Sequence, residues 1–302
     1  MTIYAYFNRP AASIKVSGPD AASYLQGQFS NDLRQAAGSV AYGLFLNSKG
    51  KVVADAHVLK LAEESFLVTS GFSPSGLLRQ RLEDFIVADD VALEDVAPTT
   101  SGLSLWGTGC RAEVQQFFQA VPLAERFVRR GDLMVYPGRR TKAENFEVIG
   151  PDDLNGKLRE QILAHGGIEA ATDRTEYLRI TQGIPSIPQD IGPGDLPNEG
   201  RLEDEAISYT KGCYLGQEVM ARLKNMGQVR RRLFVVQGTG MPPGAGAPIF
   251  QHERKLGEIR STARLDGGFV AMAMLNLLNL DEAAGFSLEA GAPPTLKLYP
   301  RG

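Results

Sequence analysis

The sequence has few cysteines and histidines, and these absences narrow the classes of protein to which it belongs. Its two cysteines, Cys110 and Cys213, lie far apart and outside any CxxC or Cys/His cluster. This spacing fits neither a secreted disulfide framework nor a zinc site, so it predicts a reducing compartment and no resident metal. A chain of 302 residues is expected to form about two domains, with a core large enough to fold without such cross-links.

Long apolar runs are also absent. A membrane span needs about 18 apolar residues, and the longest candidate, "FVAMAMLNLLNL" at 269–280, is shorter. The amino-terminal segment has neither the charged start and apolar run of a signal peptide nor the Arg/Ser-rich character of a transit sequence. We therefore predict a cytoplasmic protein without a membrane partner. A formal net charge of -3 and a pI near 5.8 argue against direct nucleic-acid binding.

The motifs of several common catalytic chemistries are missing. The chain has no GxGxxG after a strand, no GxxxxGKS/T, no HExxH and no GxSxG, so dinucleotide, P-loop, zinc-protease and serine-hydrolase functions lose their main support. Three histidines offer few candidates for imidazole chemistry. His165 precedes a glycine pair and is interpreted as a polar residue at a helix end. His57 shares a strand face with Asp55, and this pair points either into a cleft or to solvent.

The first part of the chain alternates strand-like and helical patterns. The segment "ASIKVSGPDAASYLQGQ" predicts a strand and then a short helix, which is capped by Ser17 and Asp20. This helix is expected to bury Tyr24 and Leu25. Two β-rich runs flank the Ser-Lys-Gly turn of "YGLFLNSKGKVVADAHVLKL", which is typical of a hairpin. Residues 73–74, Ser-Pro, open a further amphipathic helix.

The remaining pattern predicts the domain organisation. Strands and helices up to residue 150 follow the order of a split βαβ module, so we expect an inserted α+β module at about 48–150. A Pro/Gly-rich stretch at 184–200 predicts a linker or a functional loop. After it, short β-like runs separated by Gly, Pro and Asp-Gly turns predict a small closed barrel. The predicted domains are 1–227 and 228–302.

Cys213 lies in "TKGCYLGQEVMARLKN", residues 210–225, between two glycines and just before a predicted helix. The helix start and the charge of Lys211 favour the thiolate form, while Glu218 in the first turn opposes it. From these residues alone two interpretations stay open, a reactive thiol or a small buried hydrophobic side chain. Cys110, in "WGTGCRAEV", also begins a predicted helix, and we interpret it as a core residue.

The string "KGCYLGQE" at 211–218 resembles the K-G-C-Y-x-G-Q-E signature of the YgfZ/GcvT family, folate-binding proteins related to the glycine-cleavage T-protein. Other segments resemble family motifs in the same order along the chain, namely "SGPDAASYLQGQFSNDL", "LFLNSKGKVVADAHV", "YLRITQGIP" and "LGEIRSTAR". The resemblance spans nearly the whole chain. It implies an α+β fold, a T-protein-like three-lobed ring of split-βαβ modules with a carboxy-terminal small β-barrel, whose central channel takes a folate.

Two positions distinguish the branches of this family. T-proteins that transfer a methylene group to tetrahydrofolate carry two adjacent acids after the hairpin glycine, and here that place reads Ala54-Asp55. The glutamate of their R-x-E-x-G segment, expected to hold the pterin edge, is replaced by Thr181, and a hydroxyl cannot supply two carboxylate acceptors. The sequence therefore resembles the YgfZ branch. Its members are implicated in iron-sulfur cluster assembly or repair and, through a cluster enzyme, in tRNA modification.

The resemblance implies a folate-dependent factor in iron-sulfur cluster assembly or repair, with Cys213 as its reactive thiol. The expected partners are a folate and iron-sulfur proteins or assembly factors, because one thiolate cannot hold a cluster that usually needs four. The alternative is an aminomethyltransferase or another one-carbon transferase using tetrahydrofolate, with Asp55 acting on the folate. Whether the protein is an enzyme stays open, and the missing acid at Ala54 argues against the glycine-cleavage reaction.

The resemblance also implies which residues form the site. The catalytic candidates are Cys213, Lys211 and Asp55. The candidate residues for binding tetrahydrofolate or a folate derivative are Asn31, Asp32, Asp55, Thr181, Tyr214, Gln217 and Arg222. We expect the central channel to be lined by Asn31, Asp32, Asp55 and Arg222, and we expect Thr181→Glu to raise folate affinity. A basic run, formed by Arg222, Lys224, Arg230, Arg231 and Arg232, either binds an anionic partner or is a solvated surface.

Overall fold

The computed structural model describes residues 1–265 and 267–300 and folds them into three sheets with helices packed on them. In order of pairing, the strands of the first sheet are β3 (Val40–Leu46), β4 (Val52–Ala62), β5 (Ser65–Ser70), β2 (Ala12–Ser17) and β6 (Ala92–Asp95). Two helices pack on this sheet, α1 (Ala21–Gln28) and α2 (Ser75–Glu83). We call this unit the first lobe. Tyr24 and Leu25 of α1 are buried in its core, as predicted.

The second lobe has a sheet and two helices of its own. In order of pairing, its strands are β11 (Ile168–Glu169), β1 (Tyr4–Asn8), β7 (Thr100–Trp106), β10 (Asn145–Pro151), β9 (Leu133–Pro137) and β8 (Val128–Arg130). The helices are α3 (Cys110–Phe118) and α4 (Asp152–Ala164). They bury their apolar residues against β7 and β10 in one hydrophobic cluster, so this lobe is a two-layer α+β unit.

The third lobe is the predicted small barrel. Its paired strands are β13 (Pro248–Gln251), β14 (Arg254–Leu265), β15 (Gly268–Asn276), β12 (Arg231–Thr239) and β16 (Leu296–Leu298). The two edge strands meet through residues 286–287, because Phe250 bridges to Ser287 and Phe286 bridges to Leu296. These isolated bridges link the two edges of the sheet at one point, so the lobe is a partly closed barrel. The remaining helices are α5 (Thr172–Thr181), α6 (Glu203–Ala206) and α7 (Gln217–Met226).

The predicted domain bounds stay a prediction. The strands of 48–150 were expected to form one inserted module, but they are divided between the first and second sheets. β6 pairs with β2 in the first sheet, whereas β7 pairs with β1 in the second. Because β1 and β2 belong to different sheets, β6 and β7 are separated into these two sheets as well. The predicted domain 228–302 also includes residues that lie outside the described ones, Asp266 and 301–302.

The predicted cap of the first helix is wrong. Ser17 is the last residue of β2 and pairs with Ser65, so it is not available as a cap. Helix α1 begins at Ala21, four residues after Ser17, and the carboxylate of Asp20 accepts a hydrogen bond from the backbone N–H of Asp90 instead. The strand pairing thus extends further than the local pattern indicated. No helix among the described residues is both long and apolar enough to cross a membrane.

The Pro/Gly-rich stretch at 184–200 is a packed segment of the junction between the lobes. Within this stretch, the side chain of Asp190 is fully buried and accepts a hydrogen bond of 2.6 Å from the guanidinium of Arg179 in α5. The same guanidinium donates to Ser261 of β14 over 3.1 Å. The "YLRITQGIP" and "LGEIRSTAR" motifs therefore meet in space, and their contact attaches α5 to the barrel.

Candidate functional site: the interlobe channel and the Cys213 loop

Strand β4 directs Asp55 and His57 into a cleft between the first and second lobes. A β-bulge at Val53 interrupts the pairing, because Phe45 pairs with Ala54 and Leu46 with Val52. Ala54 is fully buried in the core of the first lobe. Asp55 and His57 both line a small cavity of about 60 Å³. Of the two interpretations of this pair, the cleft is therefore the one found in the structure.

The carboxylate of Asp55 is held by three hydroxyl groups. Ser70 and Ser73 each donate a hydrogen bond of 2.7 Å to Oδ1. The Tyr42 hydroxyl donates to Oδ2 over 3.1 Å. Asp55 is only 4% exposed, and an ionised carboxylate accepts but cannot donate hydrogen bonds. These donors hold its orientation along the cavity wall and stabilise its charge.

His57 is stacked between two tyrosine rings. The centroids of Tyr42 and Tyr136 lie 5.1 and 5.0 Å from its own. Burial lowers the pKa of His57 to about 3, and the charges of Arg139 and Arg140 contribute to the same shift. Its side chain makes no hydrogen bond to any other described residue. The imidazole is therefore neutral near neutral pH and offers one N–H donor and one acceptor to a ligand.

Arg139 lies between this cavity and a wider one that opens outward. Its guanidinium carbon is 3.6 Å from the centroid of the Tyr42 ring, and its Nε donates to Glu205 of α6 over 3.2 Å. The wider cavity, of about 260 Å³, shares Tyr42, His57 and Arg139 with the first. We call the two the inner and outer cavities and both together the interlobe channel.

Asn31 and Asp32 line the outer cavity at the mouth of the channel. The Asn31 amide donates to the Tyr42 carbonyl oxygen over 2.8 Å. The guanidinium of Arg34 pairs with Asp32 over 2.6 Å, and this hydrogen bond lowers the pKa of the carboxyl to about 2. Both side chains are thereby fixed by neighbours on the first lobe and point polar groups at the mouth.

Lys211 anchors the Cys213 loop to the first lobe. Its ammonium donates to three backbone carbonyls that follow or end α1, those of Gln26, Phe29 and Asn31, over 2.7, 2.6 and 2.8 Å. The side chain is only 5% exposed. Because an ammonium has three N–H donors, this arrangement uses all of them. This geometry gives Lys211 a positioning role in the fold, and its expected effect on the Cys213 thiolate stays a prediction.

Cys213 is exposed on the loop that Lys211 holds, whereas Cys110 is buried in the core of the second lobe. Cys213 lines an open groove of about 410 Å³ between the end of α1, the β3–β4 turn and the start of α7. Gly216 permits this approach, because its φ is 87° and a Cβ there would lie 2.8 Å from the Asn47 carbonyl oxygen. The thiol is thus presented to solvent on a rigid support.

A family model described as the GCVT N-terminal domain matches residues 9–207. The chain belongs to this family. It is 30% identical over 287 residues to the mouse mitochondrial iron-sulfur cluster assembly factor IBA57, covering 87% of this chain and 75% of that one. It is also 26% identical over 266 residues to the tRNA-modifying protein YgfZ of Colwellia psychrerythraea, covering 85% and 80% of the two chains.

A solved structure confirms the fold. The glycine cleavage system aminomethyltransferase T of Bartonella henselae superposes with a TM-score of 0.82 and 19% identity, covering 99% of this chain and 85% of that one. The T-protein-like architecture expected from the sequence is therefore correct. At this identity the similarity concerns the fold alone.

Within this GCVT family chain, the predicted folate residues are distributed over several places. Asn31 and Asp32 lie in the outer cavity and Asp55 in the inner one. Gln217 lines the Cys213 groove, where Tyr214 also lies with its ring buried in the junction core. Burial raises the pKa of the Tyr214 hydroxyl, which has no hydrogen-bond partner among the described residues. The structure therefore does not bring all of these residues into one cavity.

Thr181 and Arg222 lie apart from Asp55. Thr181 lines a separate cavity of about 720 Å³ between α5, the barrel and Lys142. Its hydroxyl donates to the carbonyl oxygens of Tyr177 and Leu178 one turn earlier. Arg222 is exposed on α7, outside all four of these cavities of the described chain. Neither residue contacts the interlobe channel.

The sequence analysis missed several residues of the channel, among them Tyr42, Arg139 and Glu205. Tyr42 and Glu205 have no distinctive local pattern. The pair Arg139-Arg140 does have one, because adjacent arginines in the turn "PGRRTK" of a hairpin are a compact positive charge. Among the described residues, no group of three or more His, Cys, Asp or Glu side chains is arranged to hold a metal ion.

Proposed function

We propose that this protein is a folate-dependent factor in the assembly or repair of iron-sulfur clusters, and that it affects tRNA modification indirectly through a cluster-dependent enzyme. The observation that carries the proposal is the exposed Cys213 thiol, held beside an open groove by the Lys211 anchor. Two relatives support the same assignment, the mouse iron-sulfur cluster assembly factor IBA57 and the tRNA-modifying protein YgfZ of Colwellia psychrerythraea.

In this proposal Cys213 supplies one thiolate to a cluster that a partner also holds. Clusters usually have four cysteine ligands, and the described chain provides no second cysteine near Cys213, since Cys110 is buried in another lobe. An iron-sulfur protein or an assembly factor would supply the remaining ligands across the Cys213 groove. The groove is open enough for a partner's loop to approach the thiol.

The experiment for the thiol is complementation of a strain that lacks the protein, read out by the activities of iron-sulfur enzymes. Cys213→Ala is expected to abolish support while leaving the free energy of unfolding nearly unchanged, because the residue is exposed. Ser48→Ala, in the same groove, is the matched control and is expected to retain support. Full support by Cys213→Ala would remove the thiol from the proposal.

The folate is proposed to bind in the interlobe channel. Members of the GCVT-like family bind folates in general, and this channel combines polar groups on opposite walls with aromatic surfaces. Ligands of this size occupy cavities of about 300–1,000 Å³. The outer cavity of about 260 Å³ approaches that range, and its continuation into the inner cavity brings a ligand to Asp55 and His57. These two residues would orient the ligand by hydrogen bonds.

Calorimetric titration with tetrahydrofolate and its methylene and formyl derivatives tests the folate site. Binding heat and thermal stabilisation are expected, and Asp55→Asn is expected to weaken binding because it removes the charged acceptor. The absence of both signals at millimolar folate would contradict this part of the proposal.

The Thr181→Glu variant then tests whether the folate binds in the interlobe channel or in the cavity lined by Thr181. Since Thr181 does not line the channel, its substitution is expected to leave the affinity unchanged. The rise in affinity expected from the sequence would instead place the folate in the 720 Å³ cavity.

A further inference from the structure

Arg139 is shared by the two cavities of the interlobe channel. It lines both of them, together with Tyr42 and His57, whereas Asp55 faces only the inner cavity and Asn31 only the outer one. Its guanidinium lies over the Tyr42 ring and is paired with Glu205. A ligand that contacts both Asn31 and Asp55 therefore spans the region where Arg139, Tyr42 and His57 line both cavities.

The backbone around Arg139 is held by hydrogen bonds to a buried side chain, while the Arg139 side chain is held by Tyr42 and by the partly exposed Glu205. The Asn145 side chain accepts from the N–H of Arg140 over 3.0 Å and donates to the carbonyl oxygens of Thr141 and Ala143 over 2.9 and 2.8 Å. The Arg139 side chain is only 16% exposed, but its partner Glu205 is 47% exposed, so solvent screens one side of the ion pair and reduces its contribution to stability. Rotamer changes of such side chains are fast on the timescale of ligand binding.

We propose that Arg139 is the gate of the interlobe channel, closed while its guanidinium is stacked on Tyr42 and paired with Glu205, and open when it turns away from both. The identity of the ligand that passes the gate rests on the proposed function. The gate itself rests on the placement of Arg139 between the two cavities. Its opening joins the cavities into one site that reaches from the mouth to Asp55.

A cysteine placed in the inner cavity reports the state of the gate without any ligand. Thr69 lines the inner cavity only, is 3% exposed and is close in size to cysteine. The parent variant therefore combines Thr69→Cys with Cys213→Ser, and its labelling by methyl methanethiosulfonate is followed by peptide mass mapping. Cys110, buried in the core of the second lobe, reports unfolding in the same sample.

Labelling of the new thiol is expected to be slow in the parent variant. Adding Glu205→Gln is expected to accelerate it roughly twofold to fivefold, the size of effect that a partly exposed ion pair has on an equilibrium. Arg139→Ala removes the stacking as well and is expected to accelerate it on the order of tenfold. Glu125→Gln is the matched control, because Glu125 lies on the same rim without contacting Arg139, and its rate is expected to match the parent.

Three results would overturn the gate: fast labelling of the parent, an unchanged rate in Arg139→Ala, or equal acceleration by Glu125→Gln and Glu205→Gln. The association rate of tetrahydrofolate provides a second measurement in the same variants without Thr69→Cys, and it is expected to rise with Glu205→Gln. If the wild-type protein binds no folate, the folate part of the proposed function fails, while the labelling rates still decide whether Arg139 is a gate.

Discussion

The two cysteines differ in the properties that control thiol reactivity. Cys213 is exposed, while Cys110 is 1% exposed and burial raises its pKa. The nucleophile is the thiolate, so a raised pKa and a closed surface both slow alkylation. We expect Cys213 to react faster than Cys110 with iodoacetamide near neutral pH. Peptide mapping after brief treatment measures both rates in one sample.

The control for this prediction is the same treatment in urea, where both thiols are exposed. The two rates should then become similar, because the unfolded chain gives both residues nearly the same surroundings. Faster labelling of Cys110 in the folded protein would contradict the assignment of Cys213 as the accessible thiol.

The lowered pKa of His57 leads us to expect that the protein loses stability in acid. Its pKa is about 3 in the folded protein against an ordinary value of 6.5, so between these values the unfolded chain binds a proton that the folded chain does not. The free energy of unfolding therefore falls as pH falls from about 6.5 toward 3, with a slope of at most about 1.4 kcal/mol per pH unit from this group. Urea unfolding at pH 7, 5.5 and 4.5 measures it.

His57→Gln keeps a polar side chain at this position and does not titrate. Its unfolding free energy should depend less on pH than that of the wild type across the same range. His252→Gln is the control, because His252 is exposed on the barrel and its substitution should leave the pH dependence unchanged. Parallel pH curves for wild type and His57→Gln would show that the imidazole titrates freely in the fold.

At the scale of elements, the attachment of α5 to the barrel depends on the pair Arg179–Asp190. Both side chains are almost fully buried. Removing one partner of a buried ion pair costs about 3–5 kcal/mol, and because Arg179 keeps a second partner, Glu176, over 2.8 Å, the lower end of that range applies here. Asp190→Asn removes the charge with little change of shape, and we expect a loss of stability of that order. Urea unfolding curves measure it.

An exposed pair on the second lobe provides the control for this prediction. Arg159 contacts Glu169 over 2.7 Å, but both side chains are about a third to a half exposed. Glu169→Gln should therefore change the free energy of unfolding by no more than about 1 kcal/mol. Equal losses for Asp190→Asn and Glu169→Gln would mean that the buried pair does not hold α5 to the barrel.

At the scale of the whole molecule, we expect no glycine-cleavage activity despite the T-protein-like fold. That reaction needs a carboxylate placed to manage the amine, a role worth on the order of a hundredfold to ten-thousandfold in rate. Ala54 is buried in the core and cannot take it, and the carboxylate of Asp55 is held by Ser70, Ser73 and Tyr42. Ammonia release from aminomethyl-lipoyl carrier protein and tetrahydrofolate measures the activity.

A T-protein assayed under the same conditions is the positive control. The Ala54→Asp variant addresses the missing acid directly, although a charge in the core of the first lobe is expected to destabilise the fold. Turnover by the wild-type chain comparable to that of the T-protein would contradict this prediction and would make Asp55 a catalytic residue.

The sequence predicted the elements whose signals are local. The hairpin of β3 and β4, the buried Tyr24 and Leu25 of α1, and the short strands of the carboxy-terminal lobe all follow from apolar periodicity and turn residues within a short segment. The prediction that Ser17 caps α1 was wrong because Ser17 belongs to β2, which pairs with β5. A competing long-range contact decided its conformation, and no local pattern reveals such a contact.

By itself the sequence determined the family, through a contiguous motif, and it determined that Cys213 belongs to that motif. Only the tertiary structure decided what the neighbouring residues do. Lys211 binds carbonyls from residues 26–31, and Tyr42, Arg139 and Glu205 come together from three distant segments. The physical reason is that cavities and buried hydrogen bonds are formed between elements, where spacing along the chain carries no information about distance in space.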